Sequence, residues 1–301
     1  MSIAVTTPTG QIGRVVAAHL LDEGEAVTLL VRDAAKAEEL VKRGATFKLV
    51  DLADAAAVTE ATRGCKALFW VTPPHYAAED LRAFQRRCGD AAAKAVRANR
   101  IARVVNLSSV GAHLAQGVGP IHGLHDVEAS LDEATKNVTH LRPAFFFENF
   151  AFQLDNIRLK GSIFLPVSGA RRIPMVATPD IAHIAAKRLM DRKWTGRSVR
   201  GVHGPEDLSF DEVAGQLSEA VGRKITHVKV SEEDARKALL AAGLGKSACE
   251  AMLELYRAIE EGTLVPAEPR TEKTTTHTPF YAYARQCLAP LIGTSPPGDL
   301  F

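Results

Sequence analysis

Short runs of apolar, mostly β-branched residues alternate along the chain with longer segments in which apolar side chains recur every three or four positions. The runs predict strands and the longer segments predict amphipathic helices. In residues 11–22, for example, Ile12, Val16 and Leu20 fall at helical spacing, and residues 78–98 are rich in Ala, Arg and Lys. The predicted strands are 2–6, 26–31, 46–50, 66–71, 102–107 and 138–142.

This alternation predicts an α/β fold, a doubly wound parallel sheet with helices on both faces and ligands at the carboxyl ends of its strands. After about residue 150 the alternation stops. Residues 161–176 are predicted as loop and short strand, 179–191 as a helix with proline in its first turn, and 196–201 as a late strand of the sheet. Three further helices are predicted over 210–221, 231–243 and 246–262, the last with Met252, Leu255, Tyr256 and Ile259 on one face.

The change of pattern predicts two lobes. Residues 1–155 are expected to form the nucleotide-binding domain, completed by residues 175–203. Residues 156–174 and 204–293 are expected to form a smaller, discontinuous C-terminal α/β lobe that covers the open end of the sheet and binds the substrate. Residues 294–301 are expected to be a frayed tail.

Composition narrows the class of protein. The 301 residues are 46% hydrophobic with a formal charge of +2, which is typical of a globular chain with an ample core. No apolar stretch of membrane-spanning length and no targeting segment occur, so we expect a cytoplasmic protein that binds no membrane. No run of consecutive basic residues is longer than two, which argues against a protein that binds nucleic acid. The four cysteines are not closely spaced, so we expect reduced thiols and no metal site.

The sequence TPTGQIG over 7–13 follows the first predicted strand and opens the first predicted helix. A turn of this kind needs small residues, so that backbone N–H groups at the helix N-terminus can approach a pyrophosphate. Gly10 and Gly13 supply two of the usual three glycines, and Thr7 stands at the first position. Thr7 can still make the turn if its φ stays negative. The motif in its βαβ context predicts a dinucleotide site; a purely structural glycine turn is the alternative.

Arg32 ends the second predicted strand, where the residue that reads the ribose is expected. A carboxylate there would accept a hydrogen bond from the 2′-hydroxyl of NAD(H), whereas a guanidinium pairs with the 2′-phosphate of NADP(H). Arg32 therefore favours NADP(H) over NAD(H), the alternative being a solvated charge at a strand end. The neighbouring Asp33 is expected to cap the helix that starts at Ala34.

Further motifs extend the pattern along most of the chain. They are TPTGQIG (7–13), LLVRDAAKA (29–37), VNLSSVGA (105–112), GPIHGLHDVE (119–128), THLRPAFFFENF (139–150), PDIA (179–182) and GPEDLSFDEVAGQLSEAVGRKI (204–225). Together they resemble the NmrA-like family of atypical short-chain dehydrogenases. The resemblance implies a Rossmann fold that binds NAD(P)H, with a small C-terminal lobe. Some members of that family are similar to quinone or azo-compound reductases, and others are redox-sensing regulators without turnover.

Typical short-chain dehydrogenases move a proton with a tyrosine whose pKa is lowered by a lysine four residues later. The tyrosines of this chain are Tyr76, Tyr256, Tyr281 and Tyr283. The residues four positions after them are Asp80, Glu260, Arg285 and Cys287. None is a lysine, so the standard proton relay is absent.

Ser108, Ser109 and His125 are the polar residues expected near the reactive ring of the cofactor. The serines follow the fifth predicted strand, where a hydroxyl can bond the cofactor or a substrate oxygen. His125 precedes Glu128 by one helical turn, so the two side chains can interact on one helix face. His125 and Ser108 are therefore the candidate catalytic residues. Simple packing against the cofactor wall is the alternative for His125.

Three consecutive phenylalanines follow Arg142 and Pro143 at the end of the sixth predicted strand. They cannot all face inward on a helix, because adjacent side chains diverge by about 100°. We expect them to shape an apolar pocket, although core packing is the alternative for each. The predicted cofactor-binding residues are Thr7, Thr9, Gly10, Gln11, Ile12, Gly13, Arg32, Asp51, Leu52, Val71, Thr72, Pro73, Ser108, Pro143 and Phe145. The predicted substrate-pocket residues are Pro74, Tyr76, Ser109, His125, Phe146 and Asn149.

For hydride transfer, the protein mainly has to position the cofactor and the acceptor and to exclude water. A conjugated acceptor such as a quinone spreads the incoming charge over its own oxygens, so water or one histidine can protonate it. The sequence thus favours an NADPH-dependent oxidoreductase acting on a small, flat, apolar or aromatic acceptor such as a quinone or azo compound. The alternatives are an NADP(H)-binding redox sensor without turnover and an imine or carbonyl reductase. A homodimer is the common arrangement for soluble oligomers, but no surface for one stands out.

Overall fold

Apolar runs become strands and amphipathic segments become helices throughout the computed structural model, which describes residues 2–293. The strands are β1 Ser2–Thr6, β2 Ala26–Val31, β3 Thr46–Leu49, β4 Cys65–Val71, β5 Arg103–Leu107, β6 Val138–Pro143, β7 Phe145–Phe146, β8 Ser162–Leu165, β9 Arg172–Val176, β10 Ser198–Val202, β11 Asp207–Ser209 and β12 Thr226–Lys229. The α-helices are α1 Gln11–Asp22, α2 Glu38–Lys42, α3 Ala55–Ala61, α4 Leu81–Asn99, α5 Ile121–Ala134, α6 Leu154–Lys160, α7 Thr178–Met190, α8 Phe210–Val221, α9 Glu232–Ala241, α10 Lys246–Glu261, α11 Phe280–Tyr283 and α12 Ala289–Ile292.

The central sheet is parallel, as predicted. Within residues 2–293 it contains seven strands in the order β10-β6-β5-β4-β1-β2-β3. The chain therefore reverses its direction of winding between β1 and β4. In doubly wound sheets this reversal opens a crevice at the carboxyl ends of the strands, where ligands bind. The late strand expected over 196–201 is β10, which pairs in parallel with β6.

Helices cover both faces of this sheet. On one face, α1 and α7 pack over a core that includes Val5, Val16 and Ile181. On the other face, α3, α4 and α5 enclose Leu68, Trp70 and neighbouring apolar side chains. The two-sided burial explains why the inner strands read as continuous apolar runs rather than as alternating patterns.

A second apolar core lies around α8 and includes residues from β7 onward, with β11-β9-β7 and β12-β8 as small sheets. Ser209 caps α8 through a reciprocal bond with Glu212, which is the arrangement expected at a helix start. The predicted lobe boundaries stay a prediction, and the expected tail 294–301 lies outside the described residues. Among residues 2–293, no helix has the length and apolar character needed to span a membrane.

Candidate cofactor and substrate site

The turn after β1 differs from its prediction at Thr7, whose φ is +47° rather than negative. This left-handed conformation costs a residue with a β-carbon about 1–2 kcal/mol. The expectation of a negative φ was wrong because the tight turn returns the chain onto itself, with Gly10 N donating to Thr7 O at 3.0 Å. The threonine thus adopts the backbone that a glycine adopts without cost.

Gly13 makes the close packing of this turn possible. A β-carbon at Gly13 would lie 2.3 Å from the carbonyl oxygen of Thr7 and 3.0 Å from that of Thr6. The N-terminus of α1 therefore rests directly on the turn. Within the described residues no side chain caps α1, and its first turn contains no acidic residue. The first N–H groups of α1 are left for an external acceptor, with Thr9, Gly10 and Gln11 exposed around them and Ile12 buried beneath.

Thr6, a residue that sequence reasoning missed, connects β1 to β4 beside this turn. Its buried hydroxyl accepts a hydrogen bond from Val71 N at 2.7 Å and lies 3.2 Å from Phe69 O, to which it donates. The hydroxyl thus replaces a ladder bond where β1 and β4 separate. Of the residues that follow β4, Thr72 is buried and accepts from Trp70 Nε1 at 3.2 Å, while Pro73 is half-buried.

Arg32 is exposed just beyond β2, which leaves its guanidinium accessible to an anion. The carboxylate of Asp33 accepts a hydrogen bond from Ala35 N at 3.0 Å. The short 3-10 helix that follows begins at Ala35 rather than Ala34, with Ala34 and not Asp33 at its N-cap position. Asp51 is likewise exposed after β3, but Leu52 is buried in the core beneath it. Of the residues predicted around the adenosine part of a dinucleotide, Arg32 and Asp51 are thus the accessible ones.

Ser108 lies at the carboxyl end of β5 and is only 4% exposed. Its backbone N–H continues the sheet by donating to Leu141 O at 2.8 Å, but its hydroxyl has no hydrogen-bond partner among residues 2–293. A buried hydroxyl without a partner costs about 1–3 kcal/mol. A bound ligand that reaches Ser108 would remove this cost. The adjacent Ser109 is half-buried, and Val110 N donates to the carbonyl of the buried Pro143.

His125 does not pair with Glu128, contrary to the prediction. Its Nδ1 lies 2.8 Å from the carbonyl oxygen of Ala112. Because a carbonyl only accepts, Nδ1 carries the proton, and a neutral His125 has a bare Nε2. His125 can therefore donate a proton from Nε2 only when its ring is charged. The nearby His122 also has one ring nitrogen in a hydrogen bond to the backbone, since its Nε2 accepts from Val118 N at 3.0 Å.

Glu128 is instead bound to Arg142 at the end of β6. The two carboxylate oxygens of Glu128 accept from Arg142 Nε at 3.0 Å and Nη2 at 2.6 Å, and Arg142 Nη1 donates to Glu268 at 2.8 Å. This buried ion cluster joins α5, the sheet and the segment before α11. Helical spacing suggested the wrong partner for Glu128, since the chain brings Arg142 closer in space.

The three phenylalanines after β6 separate, as their spacing predicted. Phe145 and Phe146 form β7 and stay half-buried, whereas Phe147 is buried at the start of a 3-10 helix. Phe145 packs against the core of the small lobe and Phe146 against the core of the large sheet. Asn149 is half-buried two residues further on. Phe145 and Phe146 therefore lie where the two cores meet.

The small lobe contacts the loop after β4, which contains the predicted substrate-pocket residues Pro74 and Tyr76. Gly245 N donates to Tyr76 O at 2.7 Å just before α10 begins. Pro74 and Tyr76 are exposed, Tyr76 to 44%. A cleft of about 300 Å³ lies nearby between α4, α5 and α10, but its lining is rich in charge and includes none of the predicted site residues. The predicted apolar cavity stays a prediction.

Comparison with known proteins agrees with this architecture. The model of the NmrA-like family matches residues 1–281. The chain belongs to the NmrA-like family. Its NmrA-like relatives include an NAD(P)H azoreductase of Xenophilus azovorans, 31% identical over 84% of this chain and 86% of the relative. Quinone oxidoreductase 2 of Escherichia coli (strain K12) is 28% identical over 80% of this chain and 82% of the relative.

Solved structures show the same fold. One of them is the triphenylmethane reductase of Citrobacter sp. complexed with NADP(H), which superimposes with a TM-score of 0.78 and 23% sequence identity. The superposition covers 95% of this chain and 99% of the reductase chain. At that identity the likeness establishes the fold alone. The predicted doubly wound sheet and the family resemblance are thus confirmed.

Proposed function

We propose that this protein is an NADPH-dependent oxidoreductase that reduces a flat, apolar acceptor. The observation that carries the proposal is the uncapped N-terminus of α1, packed onto the Thr7 turn at the reversal of the sheet. N–H groups aimed from such a helix end provide a site for a pyrophosphate. The names of the azoreductase and quinone oxidoreductase relatives support the acceptor class.

The residues present fit a bound dinucleotide. Arg32 is exposed where a 2′-phosphate is expected, and the Ser108 hydroxyl, where the nicotinamide end is expected, has no hydrogen-bond partner within residues 2–293. Bound NADPH supplies the hydride. The protein supplies the position, the partly apolar surroundings of Phe145 and Phe146, and a hydroxyl at Ser108.

The class of electron acceptor is inferred from the absence of a strong proton donor among the candidate catalytic residues. The sequence contains no Tyr-Lys pair, and the neutral tautomer of His125 offers no proton at Nε2. A simple ketone would leave a localised alkoxide that needs a strong proton donor, which is worth about 10²–10⁴-fold in rate. A quinone or azo compound delocalises the charge and needs much less assistance.

The rate of NADPH consumption tests this function. It is measured by absorbance with a panel of quinones, azo dyes, imines and ketones as acceptors. We expect steady consumption with quinones and azo dyes, and slow reaction with simple ketones. Fast ketone reduction would contradict the acceptor class. Binding of NADPH without consumption by any acceptor would favour the sensor alternative.

Titration calorimetry with NADPH and NADH tests the role of Arg32. A charge-assisted contact to the 2′-phosphate is worth about 1.5–3 kcal/mol. Arg32→Ala should weaken NADPH binding by about 10- to 100-fold and leave NADH binding nearly unchanged. Lys36→Ala, an exposed cation four residues away, is the matched control and should affect both dinucleotides little. Equal affinities of the wild-type protein for NADPH and NADH would show that Arg32 does not bind the 2′-phosphate.

A further inference from the structure

The cluster of Glu128, Arg142 and Glu268 places two carboxylates against one guanidinium. Glu128 and Arg142 are 6% and 8% exposed, and the side chain of Glu268 is 16% exposed. Within residues 2–293, no cation other than Arg142 lies within 4.0 Å of either carboxylate. The cluster therefore contains one more negative charge than positive charge at neutral pH.

The groups around the cluster do not supply a second positive charge. Burial lowers the pKa of Arg142, but the hydrogen bonds and charges of the two carboxylates outweigh burial and raise this pKa above its ordinary value, so Arg142 is charged. His203 Nε2 lies 3.1 Å from the carbonyl oxygen of Glu268, and burial lowers the pKa of His203 below 6.5, so its ring is neutral at pH 7. Arg270, two residues after Glu268, is paired with Asp207.

The cluster lies at the carboxyl end of β6, beside the predicted nicotinamide position. The carbonyl oxygens of the residues before and after Arg142 accept hydrogen bonds from the loop after β5, at 2.8 Å from Ser108 N and 2.9 Å from Val110 N. Adjacent strands are about 5 Å apart, so the backbone of Arg142 lies about that far from the backbone of Ser108.

Gly201 makes room for Glu268 on the neighbouring strand β10. Gly201 is paired with Arg142 in the register of β10 and β6. A β-carbon at Gly201 would lie 2.8 Å from the Cβ of Glu268 and 2.8 Å from His203 Nε2. Glu268 thus reaches Arg142 across the end of β10, at a point where a side chain on the strand would displace it.

The excess negative charge matches the charge that hydride transfer creates. The acceptor takes the hydride with its electron pair, which leaves the nicotinamide ring positive, and water supplies the proton that completes the reduction. A buried charge without a counter-charge lowers the stability of a protein. A positive charge formed nearby offsets that cost, because opposite charges attract strongly in a medium of low dielectric constant.

We propose that the excess negative charge of this cluster, supplied by Glu268, stabilises the positive ring of NADP⁺ relative to the neutral ring of NADPH and so favours hydride donation. The proposal rests on the proposed function. Glu268 acts here through its charge and not by contact. At an effective dielectric constant of about 20, a unit charge about 10 Å away still changes a binding constant about tenfold, and salt reduces this effect.

Titration calorimetry with NADP⁺ and NADPH tests the proposal. Glu268→Gln removes the charge but keeps an oxygen that can accept from Arg142 Nη1. We expect the Kd of NADP⁺ to rise about 3- to 10-fold, while the Kd of NADPH changes by less than about twofold. Glu272→Gln is the matched control, because it removes the same charge from the same segment at an exposed position. It should leave both dissociation constants unchanged.

Glu128→Gln is a second variant, which removes one charge from the other side of Arg142. It should shift the ratio of the two dissociation constants in the same direction, and it decides the question if Glu268→Gln does not fold. Glu268→Gln should unfold at or above the wild-type temperature, since it removes an uncompensated buried charge.

The ratio of dissociation constants does not depend on turnover. If wild type binds both dinucleotides but reduces no acceptor, the proposed oxidoreductase function fails, and the ratio alone decides about Glu268. An unchanged ratio in the folded variants of Glu268 and Glu128, or an equal shift in Glu272→Gln, would overturn the proposal.

Discussion

Replacing Gly13 by alanine tests whether the close packing of α1 on the Thr7 turn creates the cofactor site. The new β-carbon would start 2.3 Å from Thr7 O, and real β-carbons stay at least 3.0 Å from such atoms, so the turn and the helix must separate by about 0.7 Å. Strain of this kind costs about 1–3 kcal/mol. It is partly offset by the higher helix propensity of alanine, worth about 1 kcal/mol.

The expected net loss for Gly13→Ala is about 0–2 kcal/mol, or up to roughly 6 °C in Tm. NADPH affinity should fall further, by about 10- to 100-fold, because the N–H groups of α1 move away from the pyrophosphate. Gly215→Ala is the matched control. Gly215 is exposed in the interior of α8, and no atom lies within 4 Å of its would-be β-carbon, so this change should raise Tm slightly and leave NADPH binding alone.

Thermal denaturation and NADPH titration of both variants measure the difference. If Gly13→Ala gains stability as Gly215→Ala does and binds NADPH with wild-type affinity, the turn does not need glycine at this position. The α1 N-terminus would then lose its place as the pyrophosphate site.

Two further expectations concern strain and pH. Thr7→Gly should raise the free energy of unfolding by about 0.5–1 kcal/mol, because glycine adopts a positive φ without the penalty that threonine incurs. Thr9→Gly is the control and should lower the free energy of unfolding, because Thr9 does not have a positive φ. Equal effects of the two changes in urea denaturation would contradict the strained turn. Burial raises the pKa of Glu148 above its ordinary value of 4.5, although this carboxylate accepts from Thr178 N and Oγ1 at the start of α7. The folded protein therefore binds the Glu148 proton more tightly than the unfolded chain, so this carboxyl contributes a stability loss that grows as pH rises above about 4.5 and levels off above its folded pKa. Denaturation of wild type and Glu148→Gln across pH 4–7 measures it, and an identical pH dependence of the two proteins would show that the pKa of Glu148 is not raised.

Local pattern was enough to predict the strands β1 to β6 and β10, the longer helices and the candidate cofactor turn, but not the short elements β7, β11, β12, α6, α11 and α12. Continuous apolar runs bounded by turns predicted β1, β2, β4, β5 and β6, because strands covered on both faces by helices bury nearly every side chain. The edge strand β3, also predicted, is exposed at all four positions. The spacing of Gly10 and Gly13 after β1 predicted a strand-to-helix turn, since that geometry depends on a few adjacent residues. These features are decided by neighbours in sequence, and the sequence contains all the information they need.

Long-range contacts decided the rest. Glu128 pairs with Arg142, fourteen residues later in the chain, because β6 lies beside α5, and Arg142 pairs in turn with Glu268 from the segment before α11. Met252, Leu255, Tyr256 and Ile259 were predicted on one face of α10, but periodicity could not distinguish which surface of the protein that face packs against. That distinction depends on what the opposite surface presents, and the opposite surface of α10 comes from a loop more than a hundred residues earlier in the chain.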